Sequence, residues 1–331
     1  MKRILVTSLI ALFIGSSIPA AYAQSPRVQA KPAEIRLDYS SIAPASLIIK
    51  RNGWLEQEFK ADGIPIHWVL SQGSNRALEY MNAGSLDLGA TSGLSALVGR
   101  ANGVPLKTVY VFFRCYQLGI LVPKDSPIHS VAELKGKKIA SFNGTMPYFY
   151  LLSTLRANGI SKSQVEIVNL SPAEGQLALE SKRVDAWSGL DPFNAASQVN
   201  AGSRFISTQN GVDYGVLNAS EAFARQYPEQ LKRVLRVFER ARLWIIAHPD
   251  ETARLIAEEG RQTLPAAKLQ LSRQDYHVAV PDNDLFVYVK RLSPLLVEEN
   301  IVRKGTNVDR TAAELMDPTF ARAVVEGGEK R

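Results

Sequence analysis

IRLDYSSIAPASLIIKRNGWLEQEFKADGIPIHWVLSQGSNRALEYMNAGSLDLGATS, residues 35–92, carries the reading that decides the fold. Short runs at 35–39, 64–70 and 86–90 are rich in branched, aromatic and other apolar residues and predict strands. Between them, 46–59 and 74–83 place their apolar residues at helical spacing. Strand and helix in alternation make βαβ units, hence a mainly parallel sheet in an α/β fold. Outward from this stretch, a helix at 94–101 and a strand at 106–113 complete a first set. The pattern then restarts, with strands at 117–122, 138–141, 165–170 and 184–187 and helices near 130–134, 147–158 and 173–182.

The two halves share an echo. Ala77-Leu78-Glu79 leads into Leu86-Asp87-Leu88, and Ala178-Leu179-Glu180 leads into Val184-Asp185-Ala186. Each reads as a helix handing over to a strand whose second residue is Asp, which supports two lobes built alike. From Glu221 onward strands nearly vanish and amphipathic helices dominate. In 229–247 the apolar stripe is Leu231, Val234, Leu235, Phe238, Ala241, Leu243 and Ile245, interleaved with Lys232, Arg233, Arg236, Glu239, Arg240 and Arg242. These basic residues read as a solvated helix face, because no nucleic-acid-binding motif accompanies them.

Composition narrows the chemistry. At 46% hydrophobic and 21% charged the chain is globular, and 331 residues exceed what one core usually serves, so two domains are expected. One cysteine makes no intrachain disulfide and no Cys-rich metal site, and four scattered histidines give no zinc spacing. Phosphate-loop, nucleophile-elbow and paired-His zinc motifs are all missing, so neither metal nor cofactor is expected. Cys115, inside an apolar segment, reads as a small buried hydrophobe.

The first residues read as an address. Met1-Lys2-Arg3, an uncharged run through Ala20 and the small-x-small triplet Ala21-Tyr22-Ala23 have the layout of a signal peptide cleaved after Ala23. Gly15-Ser16-Ser17 and Pro19 break the apolar run short of what a spanning helix prefers. Cleavage removes Lys2 and Arg3 and no acid, lowering the formal charge from +7 to +5. With no Cys just after the triplet to carry a lipid, the expected location is the bacterial periplasm.

Small polar residues collect after the predicted strands, where open α/β sheets place their ligands. Ser40-Ser41 follows the first, Ser71-Gln72-Gly73-Ser74 the second and Thr91-Ser92-Gly93 the third, while Phe142-Asn143-Gly144-Thr145 opens a helix in the second half. Hydroxyls and backbone N–H groups at helix starts form a ready site for an anionic head group. Trp187-Ser188-Gly189-Leu190-Asp191-Pro192 adds an aromatic face and a carboxylate.

Four pieces of the chain resemble a known family: residues 46–56, where a helix ends in Gly53 before Trp54; Ala83-Gly84-Ser85-Leu86-Asp87-Leu88-Gly89; Asp125-Ser126-Pro127-Ile128 with Glu133-Leu134-Lys135-Gly136-Lys137-Lys138-Ile139-Ala140; and Val184-Asp185-Ala186-Trp187 with Asp191-Pro192. The family is the periplasmic substrate-binding proteins of ABC importers, in the aliphatic sulfonate, taurine and nitrate group. The resemblance covers about residues 34–220. It implies a two-lobed, type II-like periplasmic binding protein fold with two crossover strands, near 117–122 and 205–217, and a helical C-terminal part. Lobe 1 would be residues 34–120 plus 215–331 and lobe 2 residues 121–214. The ligand contacts carried over fall on Ser40, Ser41, Gln72, Gly73, Thr91 and Ser92 in lobe 1, and on Asn143, Gly144, Thr145, Trp187 and Asp191 in lobe 2. Tyr148 would join Trp187 against the ligand's tail. Met146-Pro147-Tyr148-Phe149-Tyr150 and Ser188-Gly189-Leu190 depart from the usual pattern at the pocket.

The function so implied is capture of a small anionic organic solute, an aliphatic or aryl sulfonate, by a monomer that delivers it to an inner-membrane ABC permease, with no nucleic-acid partner. Other ligands on the same fold are nitrate, taurine, a sulfate ester, an aromatic carboxylate or a thiamin-precursor pyrimidine. A rival from another class is a thiamin-pyrimidine synthase-like enzyme. Its Cys-rich motif is missing here, and an export signal opposes a cytoplasmic biosynthetic step. A third is a sensory binding protein that presents its ligand to a membrane receptor.

Overall fold

A computed structural model describes residues 31–40, 43–71, 73–208 and 211–328. The expected signal peptide, 1–23, lies outside them. Eleven strands are described: β1 (Ile35–Tyr39), β2 (Ile66–Leu70), β3 (Leu88–Ser92), β4 (Leu106–Cys115), β5 (Gly119–Val122), β6 (Lys138–Ser141), β7 (Glu166–Asn169), β8 (Ala186–Gly189), β9 (Arg204–Ser207), β10 (Asp213–Ser220) and β11 (Gln274–Asp275).

They form two sheets, ordered β11-β4-β10-β3-β1-β2 and β7-β6-β8-β5-β9. In the first, β1 runs parallel to β2 and β3 while β10 runs antiparallel to β3 and β4. In the second, β6 runs parallel to β7 and β8 while β5 runs antiparallel to β8 and β9. The series β2-β1-β3-β10-β4 thus matches β7-β6-β8-β5-β9 strand for strand, and in each the antiparallel member is the strand the chain enters on leaving the other sheet. This is the two-lobed periplasmic binding protein fold, with a helical C-terminal part from Glu221 onward.

β1 and β6 fall on their predicted bounds, whereas β3 and β8 each start two residues late. The echoed aspartates explain both shifts. Asp87 N–H donates to Arg36 O at 2.8 Å and its Oδ2 accepts Arg36 N–H at 2.9 Å. Asp185 repeats the pair on Lys138, with both bonds at 2.8 Å. Each carboxylate stands in for a strand carbonyl at the mouth of the sheet, so regular pairing begins only after it. Asp87 also receives the Arg36 guanidinium, Nη2 to Oδ1 at 2.8 Å and Nε to Oδ2 at 3.1 Å. Removing a charged acceptor of this kind costs about 1.5–3 kcal/mol. Urea unfolding should therefore rank Asp87→Ala as losing about 3 kcal/mol and Asp185→Ala about 1.5 kcal/mol; equal losses would mean the guanidinium fork adds nothing.

The predicted helix 46–59 is two, Pro44–Asn52 and Trp54–Phe59, because Gly53 takes φ +59 and caps the first helix before the second begins. The predicted helix 229–247 forms as Pro228–Ala247, but Leu243 lies off the buried stripe and is 51% exposed. The basic face is also less solvated than its composition suggests. Arg242 is buried, donating to Glu239 and to the Tyr276 carbonyl, Arg233 pairs with Glu58 and Asp62, and Arg240 sits 3.9 Å above the Trp54 ring. Cys115 is buried, as expected, and burial pushes its thiol well above the ordinary range.

Candidate functional site

A cavity of about 190 Å³ opens where the carboxyl ends of β1, β2, β3 and β6 meet the segments that run between the sheets. Five helices begin at its wall, Pro44–Asn52, Ser74–Asn82, Gly93–Ala101, Met146–Ala157 and Pro172–Glu180, each contributing its first residue or its cap to the lining. Among the described residues no side chain caps the helices that start at Pro44, Ser74 and Met146. The N–H groups of Ser74, Asn75 and Met146 therefore lack side-chain acceptors and point their partial positive charge at the cavity. Phe112, Phe113, Phe142, Met146, Pro147 and Leu190 supply an apolar lining.

Most hydroxyls here are already spent as donors. Thr91 Oγ1 donates to Ser92 O at 2.9 Å and accepts from Asn218 at 2.8 Å. Ser92 Oγ accepts from Ser95 N–H at 3.1 Å and donates to the Ser95 hydroxyl at 3.0 Å. The Thr145 hydroxyl donates to the Phe142 carbonyl. Ser74 differs: its Oγ accepts from Ser92 N–H at 3.0 Å, and its own proton has no acceptor among the described residues.

Two buried carboxyls hold the wall. Asp38 Oδ1 accepts Ala90 N–H at 2.8 Å and Oδ2 accepts the Ser71 hydroxyl at 2.5 Å, fastening the ends of β2 and β3 to β1. Asp213 lines the cavity itself, and its Oδ1 accepts from Tyr214 N–H and from the Tyr288 hydroxyl, both at 2.8 Å. Burial pushes both carboxyls up to about 6.

Of the residues expected at the site, Ser40, Gly73, Thr91, Ser92 and Thr145 come together on the cavity wall. Ser41 and Gln72 lie outside the described residues. The others do not reach the lining. Asn143 is exposed, its N–H held by Asn169 at 2.9 Å, and Gly144 turns the chain beside it at φ +73. The Tyr148 hydroxyl bonds Glu299 at 2.6 Å and Lys162 at 2.7 Å, away from the cavity. Trp187 is in the core beneath β8, and Asp191 is buried against Arg273 at 3.0 Å. Lining residues that sequence reasoning missed include Asn75, Gln117 and Asp213. Asp213 did carry a signal, as a lone acid opening a strand of otherwise uncharged residues.

Two sheets that exchange a strand, with helix starts converging on a cavity between them, define a periplasmic-type binding protein. Residues 50–252 match the family model described as NMT1/THI5 like, and the chain belongs to that family. It is 30% identical over 262 residues, 78% of each chain, to a protein of Bacillus subtilis (strain 168) named as aliphatic sulfonates-binding. The crystal structure of the periplasmic aliphatic sulphonate binding protein SsuA from Escherichia coli superposes with a TM-score of 0.77 at 25% identity, over 87% of this chain and 94% of that one. The desulfurization enzyme DSZB shares the fold alone, with a TM-score of 0.67 at 18% identity over 90% of this chain and 100% of its own.

Proposed function

We propose that this protein is the exported solute-binding component of an ABC importer. It captures a small organic sulfonate in the cavity as a monomer in the periplasm and hands it to an inner-membrane permease. The observation that carries this reading is the convergence of five helix starts, three of them without side-chain caps, on a cavity otherwise walled by phenyl rings and aliphatic groups. An anionic head group fits the first feature and an apolar tail the second. The sulfonate-binding names of the relatives support the ligand class. The signal-peptide reading supports export, and among the described residues no helix is long and apolar enough to cross a membrane.

Binding is favoured over catalysis by what the reactive side chains do. Cys115 is buried with its thiol pushed up, which makes it a poor nucleophile. The four histidines are absent from the cavity lining; His67 pairs with Glu34 at 3.0 Å and His248 stacks on Trp244 at 4.7 Å.

A thermal-shift series with alkyl and aryl sulfonates, taurine, nitrate, sulfate esters and aromatic carboxylates tests the reading. A ligand present at a hundred times its Kd stabilises the folded state by about 2.7 kcal/mol, a rise of several degrees for a protein this size. Sulfonates are expected to give the largest rise at 1 mM, on the order of a hundredfold over a micromolar-range Kd. No rise with any sulfonate sinks the proposal.

A further inference from the structure

The cavity holds two polar side chains that neither helix starts nor hydroxyls explain. Gln117 is 5% exposed, lines the cavity, and its amide has no hydrogen-bond partner among the described residues. Asp213 is 4% exposed; its Oδ1 holds both of the carboxyl's contacts, and Oδ2 has none among the described residues. The two sit on the paired segments that run between the sheets, tied by Leu118 N–H to Gly211 O at 3.2 Å and by the register of Cys115 with Asp213. Both open onto the cavity, so a water or a ligand, rather than the protein, completes them. An anionic head group is the wrong complement for a carboxylate. A donor is the right one.

We propose that Gln117 and Asp213 form a second subsite of this cavity that reads a hydrogen-bond donor on the ligand's tail, so that arylsulfonates bearing an amino group are preferred over plain ones. The proposal rests on the reading of the cavity as a sulfonate site and adds the tail's chemistry to it. Phe112, Phe113 and Phe142 favour a flat aromatic tail between the two polar ends. The amine of such a ligand is a neutral N–H donor at neutral pH; Oδ1 of Asp213 already accepts two bonds, so protonation falls on Oδ2 and turns it into a donor, and the ionised form is the one that offers Oδ2 to the amine.

Charge around Asp213 leaves that acceptor uncompensated. Tyr288 reaches it from the helix Asn283–Glu298, its hydroxyl also 3.1 Å from Met146 Sδ. The Cys115 thiol donates to the Asp213 carbonyl at 3.5 Å. Beyond these, Arg114 is engaged by Asp275, Arg273 by Asp191, Asp282 and Asp284 bear on Tyr214, and Arg291 bears on Tyr288. With Asp213 titrating at about 6, only about a tenth of it is ionised at pH 5, so a donor ligand should lose affinity on the order of tenfold between pH 7.5 and 5. A ligand without the donor loses nothing or gains, because protonation removes a like charge.

Isothermal titration of the full chain with 4-aminobenzenesulfonate and 4-methylbenzenesulfonate, equal in size, is the test. At pH 7.5 the amino compound should bind about tenfold tighter or more, with its advantage lost in Asp213→Asn and reduced in Gln117→Leu. At pH 5 the wild-type advantage should shrink about tenfold; this arm decides the matter even where Asp213→Asn does not fold. Equal binding of the two compounds by the wild type, or an advantage unchanged by pH and by Asp213→Asn, overturns the subsite while leaving the sulfonate site standing. Binding of neither compound overturns both.

Discussion

Arg273→Ala is expected to lower stability by about 3–5 kcal/mol at pH 7, because it strands a carboxylate in the interior. Asp191 is 1% exposed, and both its oxygens receive Arg273 Nη1, at 3.0 and 3.2 Å, while Ala195 N–H donates to Oδ1 at 2.9 Å. Nη2 of the same guanidinium donates to Gln198, and the group lies over the Phe205 ring. Asp191, Gln198 and Phe205 follow β8 in the second sheet's part of the chain, whereas Arg273 ends the helix Leu264–Ser272 in the C-terminal part, so one side chain fastens the two together. Burial already holds the Asp191 carboxyl above its ordinary value, with Arg273 pulling the other way. Without Arg273 the folded-state value rises further. The folded protein then holds a proton that the unfolded chain has released, so stability is retained at acid pH and lost as pH rises. Urea unfolding at pH 5 and pH 8 should therefore show a larger loss at pH 8, with Arg273→Lys intermediate because an ammonium cannot span Asp191 and Gln198 at once. A loss below 1 kcal/mol at both pH values would show that the contact is no latch.

How far the chain could be read in advance follows from the range of the forces involved. The strand-helix alternation is a local pattern, and it placed β1 and β6 to the residue. The starts of β3 and β8 were missed because a side-chain carboxylate, Asp87 or Asp185, replaces a backbone acceptor, and hydropathy does not register that. The aspartate echo, read from the sequence as a sign of two lobes built alike, is one hydrogen-bonding device used twice. At the site, loops were legible because strand ends and helix starts are locally encoded; Ser40, Gly73, Thr91, Ser92 and Thr145 reach the cavity by that logic. Side-chain direction was not. Tyr148, two residues after Met146, lies on another face of the first helical turn and bonds Glu299. Gln117 and Asp213 are brought together by pairing across about a hundred residues of chain, which no local pattern announces.

Trp187→Ala is expected to cost about 3–5 kcal/mol as well, and to leave ligand affinity in the folded fraction unchanged. Trp187 was the natural choice for a ligand's apolar tail, an aromatic residue at a strand end beside an acid. Strand geometry decides otherwise. Within β8 successive side chains alternate faces, and the indole goes to the side covered by the helix Pro172–Glu180, where Leu121, Ala140, Ala178, Leu179 and Val184 enclose it. Two glycines shape the slot: a Cβ at Gly175 or Gly189 would overlap the ring. Truncation to Ala therefore opens a large void in a small cluster with little around it free to collapse, while Trp187→Phe should lose less, and Gly175→Ala should cost about 1–3 kcal/mol by overpacking from the opposite side. Affinity discriminates the two roles. Trp187→Phe measured by urea unfolding and by sulfonate titration should move the first and not the second. A tenfold loss of affinity with stability intact would return the ring to the ligand and take β8's inner face with it.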